Sequence, residues 1–405
     1  MFNELPYSTD LSVLSQPLTV LNKTIKNRLC IQPMEGCDGT ADGSPDTLTA
    51  RRYDRFSKSG AGVIWFEAVA VMHDGRANLR QLWLTEKNLD EFKKIVTAIK
   101  ETSYKECGFV PVIIMQATHS GRYSKPNGKP EPLIAYNSPI FEGDNPIPTE
   151  RIITDEKLKE IEEAYGTIAL LCQKAGFDGI DIKACHRYLN SELLSAFTRK
   201  GIYGGSFENR TRFFQNVVNI VRSVAEKNFI VTSRLNIYDG FPYPYGFGVT
   251  ENNGIEPDLT EAIMLIKMLN MEFINITAGN PYVNPQVNRP TDLEGVKRMY
   301  TLTKIIAESF NGLKIISSAP TYMRENAAFL AAGAVSKGYA SMVGFGRLAF
   351  AYPNFAKDIL AGKFDKKQMC ITCAQCSQLM RNGFPPGCVV RDEFYTNEFK
   401  LMNSR

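Results

Sequence analysis

Gly176-Phe177-Asp178-Gly179-Ile180-Asp181-Ile182-Lys183-Ala184-Cys185-His186-Arg187-Tyr188-Leu189 is the stretch from which the rest of the 405-residue chain can be read. Its first half is apolar with glycines at the turn end, as expected of a strand buried on both faces in a parallel sheet. Chemistry starts where that strand stops. Lys183, Cys185, His186, Arg187 and Tyr188 crowd proton donors at a strand's C-terminal end, where parallel α/β folds gather their active-site groups. After an apolar turn, Gly204-Gly205-Ser206-Phe207-Glu208-Asn209-Arg210 offers Ser206 as N-cap of a helix through Phe213, Val217, Val218 and Val221. A lone histidine or tyrosine behind a strand is more often structural than catalytic. Here strand, donors and capped helix occur together and in order, which favours function.

Working outward, strand-like apolar runs recur at 29–32, 62–71, 110–116, 179–183, 229–235, 272–277, 313–318 and 341–346. Between them lie helical periodicities, such as Leu158, Ile161, Ala164, Tyr165, Ile168 and Leu171, or Leu259, Ile263, Ile266 and Leu269. Eight alternations of strand and helix predict an α/β fold of the closed (β/α)8 TIM-barrel type over residues 1–362. Residues 18–27 read as a hairpin turning at Asn22-Lys23, plugging the barrel's bottom. Residues 118–154, rich in Pro, Gly and Asn, form a long connection after the third strand and predict a lid over the barrel mouth.

Composition fits one large folded unit. With 44% hydrophobic and 22% charged residues the chain can bury a full core. A net charge of +4 from 47 basic and 43 acidic side chains is too small to imply a nucleic-acid or membrane surface. Small molecules are the expected partners. Met1-Phe2-Asn3-Glu4-Leu5-Pro6 lacks a basic or apolar leader pattern, and the longest apolar run, 61–72, is broken by Glu67, so a soluble cytoplasmic protein is expected. Nine cysteines, an odd number, argue against a disulfide framework.

The run from Asp181 to Leu189, closed by the Gly-Gly-Ser-Phe-Glu-Asn-Arg segment, resembles the fourth strand and loop of the Old Yellow Enzyme family of FMN-dependent barrel oxidoreductases. The resemblance extends over roughly residues 18–390. It implies that Pro33, Met34 and Glu35 stand near flavin N5, Glu35 replacing the family's usual Thr or Cys. Ala68, beside Glu67, is expected to offer backbone to the isoalloxazine. Gln116, in a segment similar to the family's Gln-x-x-His-x-Gly-Arg, would bond the pyrimidine ring, an amide being able to donate and accept at once. Arg234 would sit beside the pyrimidine, where a cation stabilises reduced flavin. Ala319, Gly346 and Arg347, after the seventh and eighth strands, would hold the FMN phosphate. His119 is expected to be structural, positioning the lid.

Residues 363–405 carry Cys370, Cys373 and Cys376 at two-residue spacing and Cys388 further on. Four thiolates so arranged can hold a [4Fe-4S] cluster, while a closed tetrahedral zinc site remains the structural alternative. The resemblance favours iron, because trimethylamine dehydrogenase and 2,4-dienoyl-CoA reductase carry such a cluster just after the eighth barrel strand. It also leaves room for a separate electron-donor protein or NAD(P)H as the source of electrons.

The leading functional expectation is an ene-reductase: flavin delivers hydride to an α,β-unsaturated carbonyl, Lys183 and His186 hold the carbonyl oxygen, and Tyr188 protonates the α-carbon. Amine oxidation of the trimethylamine dehydrogenase kind is the alternative. A flavin and iron-sulfur electron carrier is a third reading, and a carrier has no need of donors at Lys183, His186 and Tyr188.

Overall fold

In the computed structural model, residues 5–404 are described; the leader reading made on residues 1–4 lies outside them. Nine parallel strands form one sheet. They are β3 (Leu29–Ile31), β4 (Val63–Ala70), β5 (Val112–Thr118), β6 (Gly179–Ile182), β7 (Ile230–Thr232), β8 (Arg234–Asn236), β9 (Phe273–Thr277), β10 (Lys314–Ser317) and β11 (Met342–Phe345), following a hairpin of β1 (Leu18–Val20) and β2 (Lys23–Ile25). The sheet order is β7-β6-β5-β4-β3-β11-β10-β9-β8.

The count of nine hides an eight-stranded barrel. β7 and β8 are the two halves of the expected fifth strand, interrupted at Ser233; the first half pairs with β6 and the second with β9. Ser233 stitches both neighbours, its hydroxyl donating to Ile182 O at 2.7 Å and its carbonyl accepting from Asn275 N at 2.9 Å. The kink closes the barrel, since one straight strand cannot follow two diverging partners around a twisted sheet.

Helices α1 (Thr47–Ser57), α2 (Leu89–Cys107), α3 (Asp155–Lys174), α4 (Phe207–Val224), α5 (Thr260–Leu269), α6 (Leu293–Ser309), α7 (Ala327–Ser336) and α8 (Phe355–Leu360) connect the strands. Local chemistry sets their ends. Asp46 forms a capping box on α1, Thr154 caps α3, and Ser206 caps α4 by accepting from Asn209 N, as its position predicts. Phe213, Val217, Val218 and Val221 are the buried stripe of α4. Among the described residues no helix is long and apolar enough to cross a membrane.

The lower barrel interior is apolar: Val20 and Ile25 of the hairpin pack with Cys30, Val63, Trp65, Ile114, Phe273, Ile316 and Met342. The hairpin therefore plugs the bottom, as expected, although its two-residue turn is Leu21-Asn22 instead of Asn22-Lys23. Burial of both Val20 and Ile25 fixes that register, because a one-residue slip would turn one of them to solvent.

The 118–154 connection stands at the barrel mouth without lining the main cavity. Arg122 ties it to Glu192 beyond β6, its own Glu142 and the bridge between Ile134 and Ile152 hold it together internally, and the Tyr123 ring packs 4.3 Å from that of Tyr282. Beyond α8 the tail forms α9 (Gln375–Arg381) and α10 (Glu393–Asn403), docked through Arg51 and Arg55 on Asp392.

Candidate active site

A cavity of about 1060 Å³ opens at the strands' C-terminal ends. Its floor is a polar layer. Gln32 and Asn275 exchange amide hydrogen bonds at 2.7 and 3.1 Å, and Gln32 also donates to Ser318 Oγ. Asp181, buried beneath, accepts from Trp65 Nε1 at 2.7 Å, Gln116 Nε2 at 2.6 Å and Arg234 N at 2.7 Å, and burial raises its carboxyl to about 6. With its nitrogen committed to Asp181, Gln116 has its amide oxygen left as acceptor for whatever fills the cavity. Arg234 lines the cavity with a buried Nε that has no protein partner.

Every residue expected at the flavin and substrate positions reaches this space. Pro33, Met34 and Glu35 follow β3, Ala68 lies in β4, Ala319 follows β10, and Gly346 and Arg347 follow β11. Ala319 takes φ +70°, a left-handed turn that bends the chain around the rim. The loop after β3 is braced from behind. Glu67 turns outward, accepts from Gly36 N at 2.7 Å and shares Arg52 with Asp38. Burial pushes Glu67 up to about 7 even against the Arg52 guanidinium.

The donor cluster divides in two. His186 and Arg187 both adopt left-handed backbone, at φ +64° and +63°, and this places Lys183, His186 and Tyr188 on the cavity while Arg187 turns into the protein. There Arg187 bonds Tyr245 O, Asp239 and the Tyr136 hydroxyl, a structural role. Cys185 is buried and its thiol raised to about 11. Burial, together with Arg234 and Lys183, holds His186 well below the usual imidazole range. Asn288 Nδ2 lies 3.1 Å from His186 Nε2 and also donates to Ala278 O; as a donor it leaves Nε2 the acceptor and the imidazole proton on Nδ1.

Tyr188 is 1% exposed, with Lys183 Nζ 3.4 Å from its ring centre. Its hydroxyl donates to Glu35 Oε2 at 3.1 Å and lies 3.5 Å from the Tyr282 hydroxyl. Burial and the Glu35 carboxylate hold the phenol well above its ordinary pKa. Glu35, expected near flavin N5, thus bears on the candidate acid as well.

The loop between β9 and α6 roofs the cavity with Tyr282, Asn288 and Arg289, and α9 adds Cys376, Ser377 and Met380. Cys376 apart, no spacing in the sequence marks these residues. Arg289, pressed by burial and by Arg347 and Arg381, is lowered to about 10. His119 is buried away from the cavity, within 3.4 Å of Asp74, in keeping with a structural histidine.

Cys370, Cys373, Cys376 and Cys388 ring a second cavity of about 360 Å³, whose wall includes Arg347. Among the described residues no group of His, Cys, Asp and Glu side chains comes together to hold a single metal ion. Burial raises the Cys376 thiol to about 11. Cys376 and Arg347 line both cavities.

The pattern of the NADH:flavin oxidoreductase / NADH oxidase family matches residues 13–365. The chain belongs to that family. This flavin oxidoreductase is 31% identical to an NADPH dehydrogenase of Clostridium acetobutylicum over 265 residues, 64% of this chain and 72% of that protein. It is 26% identical to a cinnamate reductase of Clostridium sporogenes over 392 residues, 93% of this chain and 57% of that protein. Its fold matches that of a 2-naphthoyl-CoA reductase solved with 2-naphthoyl-CoA at TM-score 0.77 and 20% identity, over 96% of this chain and 58% of that one; the likeness is one of fold. The chain spans a little over half the length of these last two proteins. As a flavin oxidoreductase of Old Yellow Enzyme type, it has a cavity whose free groups suit FMN: the orphaned Arg234 Nε, the Gln116 oxygen and the Arg347 guanidinium. A Cβ on Gly346 would come within 2.9 Å of Met34 Sδ, so glycine keeps that rim clear.

Proposed function

We propose that the chain reduces the C=C bond of α,β-unsaturated carbonyl compounds, using electrons from NAD(P)H. The observation that carries this reading is the convergence of Lys183, His186 and a buried, protonated Tyr188 on one wall of the cavity. FMN held by Pro33, Met34, Ala68, Gln116, Arg234, Ala319, Gly346 and Arg347 would supply the hydride. Neutral His186, its proton on Nδ1, and Lys183 would hold the carbonyl oxygen and stabilise the negative charge that develops there. Tyr188 is suited to deliver the second hydrogen as a proton, since its raised pKa keeps it protonated at neutral pH until an enolate carbon, a far stronger base, is beside it. Rotation about its C–O bond redirects that proton from Glu35 to substrate.

Residues 363–405 are read as an extension to the barrel at 1–362 that seats a [4Fe-4S] cluster on Cys370, Cys373, Cys376 and Cys388. All four cysteines line one cavity, and the likeness of the tail to those of cluster-bearing flavin barrels favours iron over a tetrahedral zinc site. A cluster there adjoins the flavin cavity through Cys376 and Arg347, so it would pass electrons between the flavin and a separate protein. The expected setting is the cytoplasm.

An anaerobic panel of enones, enoates, thioesters and secondary amines tests the assignment, scored by reoxidation or reduction of bound flavin. Reoxidation by an unsaturated carbonyl is the expected result. Flavin reduction by amines, with no response to any unsaturated carbonyl, would replace the reading with amine oxidation.

A further inference from the structure

Tyr188 meets a difficulty once its proton is spent. A phenolate would then stand in a buried site 3.1 Å from the Glu35 carboxylate, two like charges at contact distance. Substrate bound in the main cavity would cover that side of the ring. The replacement proton needs a route, and the wall behind Tyr188 supplies one.

A second chamber of about 1330 Å³ adjoins the main cavity and shares three of its residues, Glu35, Tyr282 and Met380. The chamber opens to solvent, its wall including exposed Leu79, Lys125 and Arg381. Of the shared residues only Glu35 and Tyr282 can carry a proton, and only Glu35 bonds Tyr188 closely, Tyr282 lying at 3.5 Å. Glu35 Oε1 is buried without a partner, a free acceptor on the carboxylate whose other oxygen holds Tyr188. The charged and titratable groups facing Glu35 are Tyr188, Tyr282, Lys183 and Cys37.

We propose that Glu35 is a proton relay, taking protons from water in the outer chamber and returning them to Tyr188 after each turnover. The inference rests on the ene-reductase reading. The steps balance: hydride that originates on NAD(P)H bonds to the β-carbon, the C=C pair moves to the α-carbon, and Tyr188 O–H breaks as the α-carbon–H bond forms. Glu35 binds a proton from water and passes it to the phenolate, leaving Tyr188 neutral and Glu35 a carboxylate again. The net reaction consumes one hydride and one solvent proton. Glu35 acts through Tyr188 and is a positioning residue.

The test is Glu35→Gln, which keeps an acceptor for the Tyr188 hydroxyl and cannot shuttle protons. Single-turnover reoxidation of the pre-reduced holoenzyme by cyclohexenone sets the variant's own first-turnover rate, against which its later turnovers are compared, because Tyr188 starts with its own proton. Later turnovers should slow by the order of 10²-fold, the weight of a positioned proton transfer. Glu35→Asp should recover part of the steady-state rate, and formate should rescue Glu35→Ala in a concentration-dependent way. Equal slowing of first and later turnovers would reduce Glu35 to orienting Tyr188 and overturn the relay. Unchanged steady-state turnover would overturn it as well, reprotonation then coming through the open cavity after product release. If wild type reduces neither cyclohexenone nor any other unsaturated carbonyl, the ene-reductase reading itself fails and takes the relay with it.

Discussion

The loop after β6 and the cysteine tail are the two most legible motifs in this chain, and the fold treats them differently. Lys183, His186 and Tyr188 are locked by the protein alone: Asn288 on the imidazole, Glu35 on the phenol, Lys183 against the ring, and two left-handed residues that split the loop between cavity and interior. The tail thiols are less completely enclosed. Cys373 is exposed, the other three are half-buried against the edge of the core, and Thr372 and Ala374 carry left-handed backbone. A catalytic loop must be preorganised before substrate arrives, whereas a ligand set can leave its final geometry to the metal, whose binding free energy helps to fold the site.

The sharpest way to break this comparison is at the tail. Cys376→Ser should take iron and sulfide from about four per chain to near zero, because a four-thiolate site does not survive loss of a ligand. The same variant should keep its FMN, read by absorbance after release, and should expose residues near 370–388 to limited proteolysis. Stoichiometric zinc without sulfide in the wild-type protein would turn the tail into a structural clamp.

The loop should break without unfolding. Tyr188→Phe is expected to slow reoxidation by an unsaturated carbonyl by about 10²- to 10⁴-fold, as loss of a general acid does, with FMN content and melting temperature close to wild type. A variant reoxidised at the wild-type rate would remove Tyr188 from the chemistry.

Arg347 belongs to both regions, lining the flavin cavity and the cysteine cavity. Arg347→Ala should weaken FMN retention by about 1.5–3 kcal/mol, roughly ten- to 150-fold in dissociation constant, through loss of a charge-assisted phosphate contact. Equilibrium dialysis against FMN measures it. Loss of iron with FMN affinity unchanged would assign this arginine to the tail alone.

The smallest expected effect is a pH dependence confined to the loop. His186 is depressed in the folded state, so the unfolded chain takes up a proton below about pH 6.5 that the folded chain refuses. Its contribution to stability is therefore present above about pH 6.5 and lost as pH falls, by at most about 1.4 kcal/mol per pH unit. Urea midpoints for wild type and His186→Asn should converge on acidification. Parallel midpoints would mean that His186 is protonated in the fold.

The sequence by itself determined the alternation of strands and helices, and with it the barrel. Strand periodicity, the Ser206 cap and the apolar stripe of α4 are local properties, set by backbone sterics and by which side chains avoid water. It also placed twelve chemistry-bearing or backbone-offering residues at strand ends, because in a parallel barrel every strand ends on the same face. Tertiary structure alone decided what those residues meet. The break of the fifth strand at Ser233 answers to two diverging neighbours, and the 118–154 segment is anchored at the mouth because Arg122 finds Glu192 and Tyr123 finds Tyr282 there. Glu35 and Tyr188 stand 153 positions apart, and Asn288 and His186 stand 102 apart. No local signal couples such pairs; only closure of the barrel brings a carboxylate to a phenol and an amide to an imidazole, and those contacts settle which donor keeps its proton.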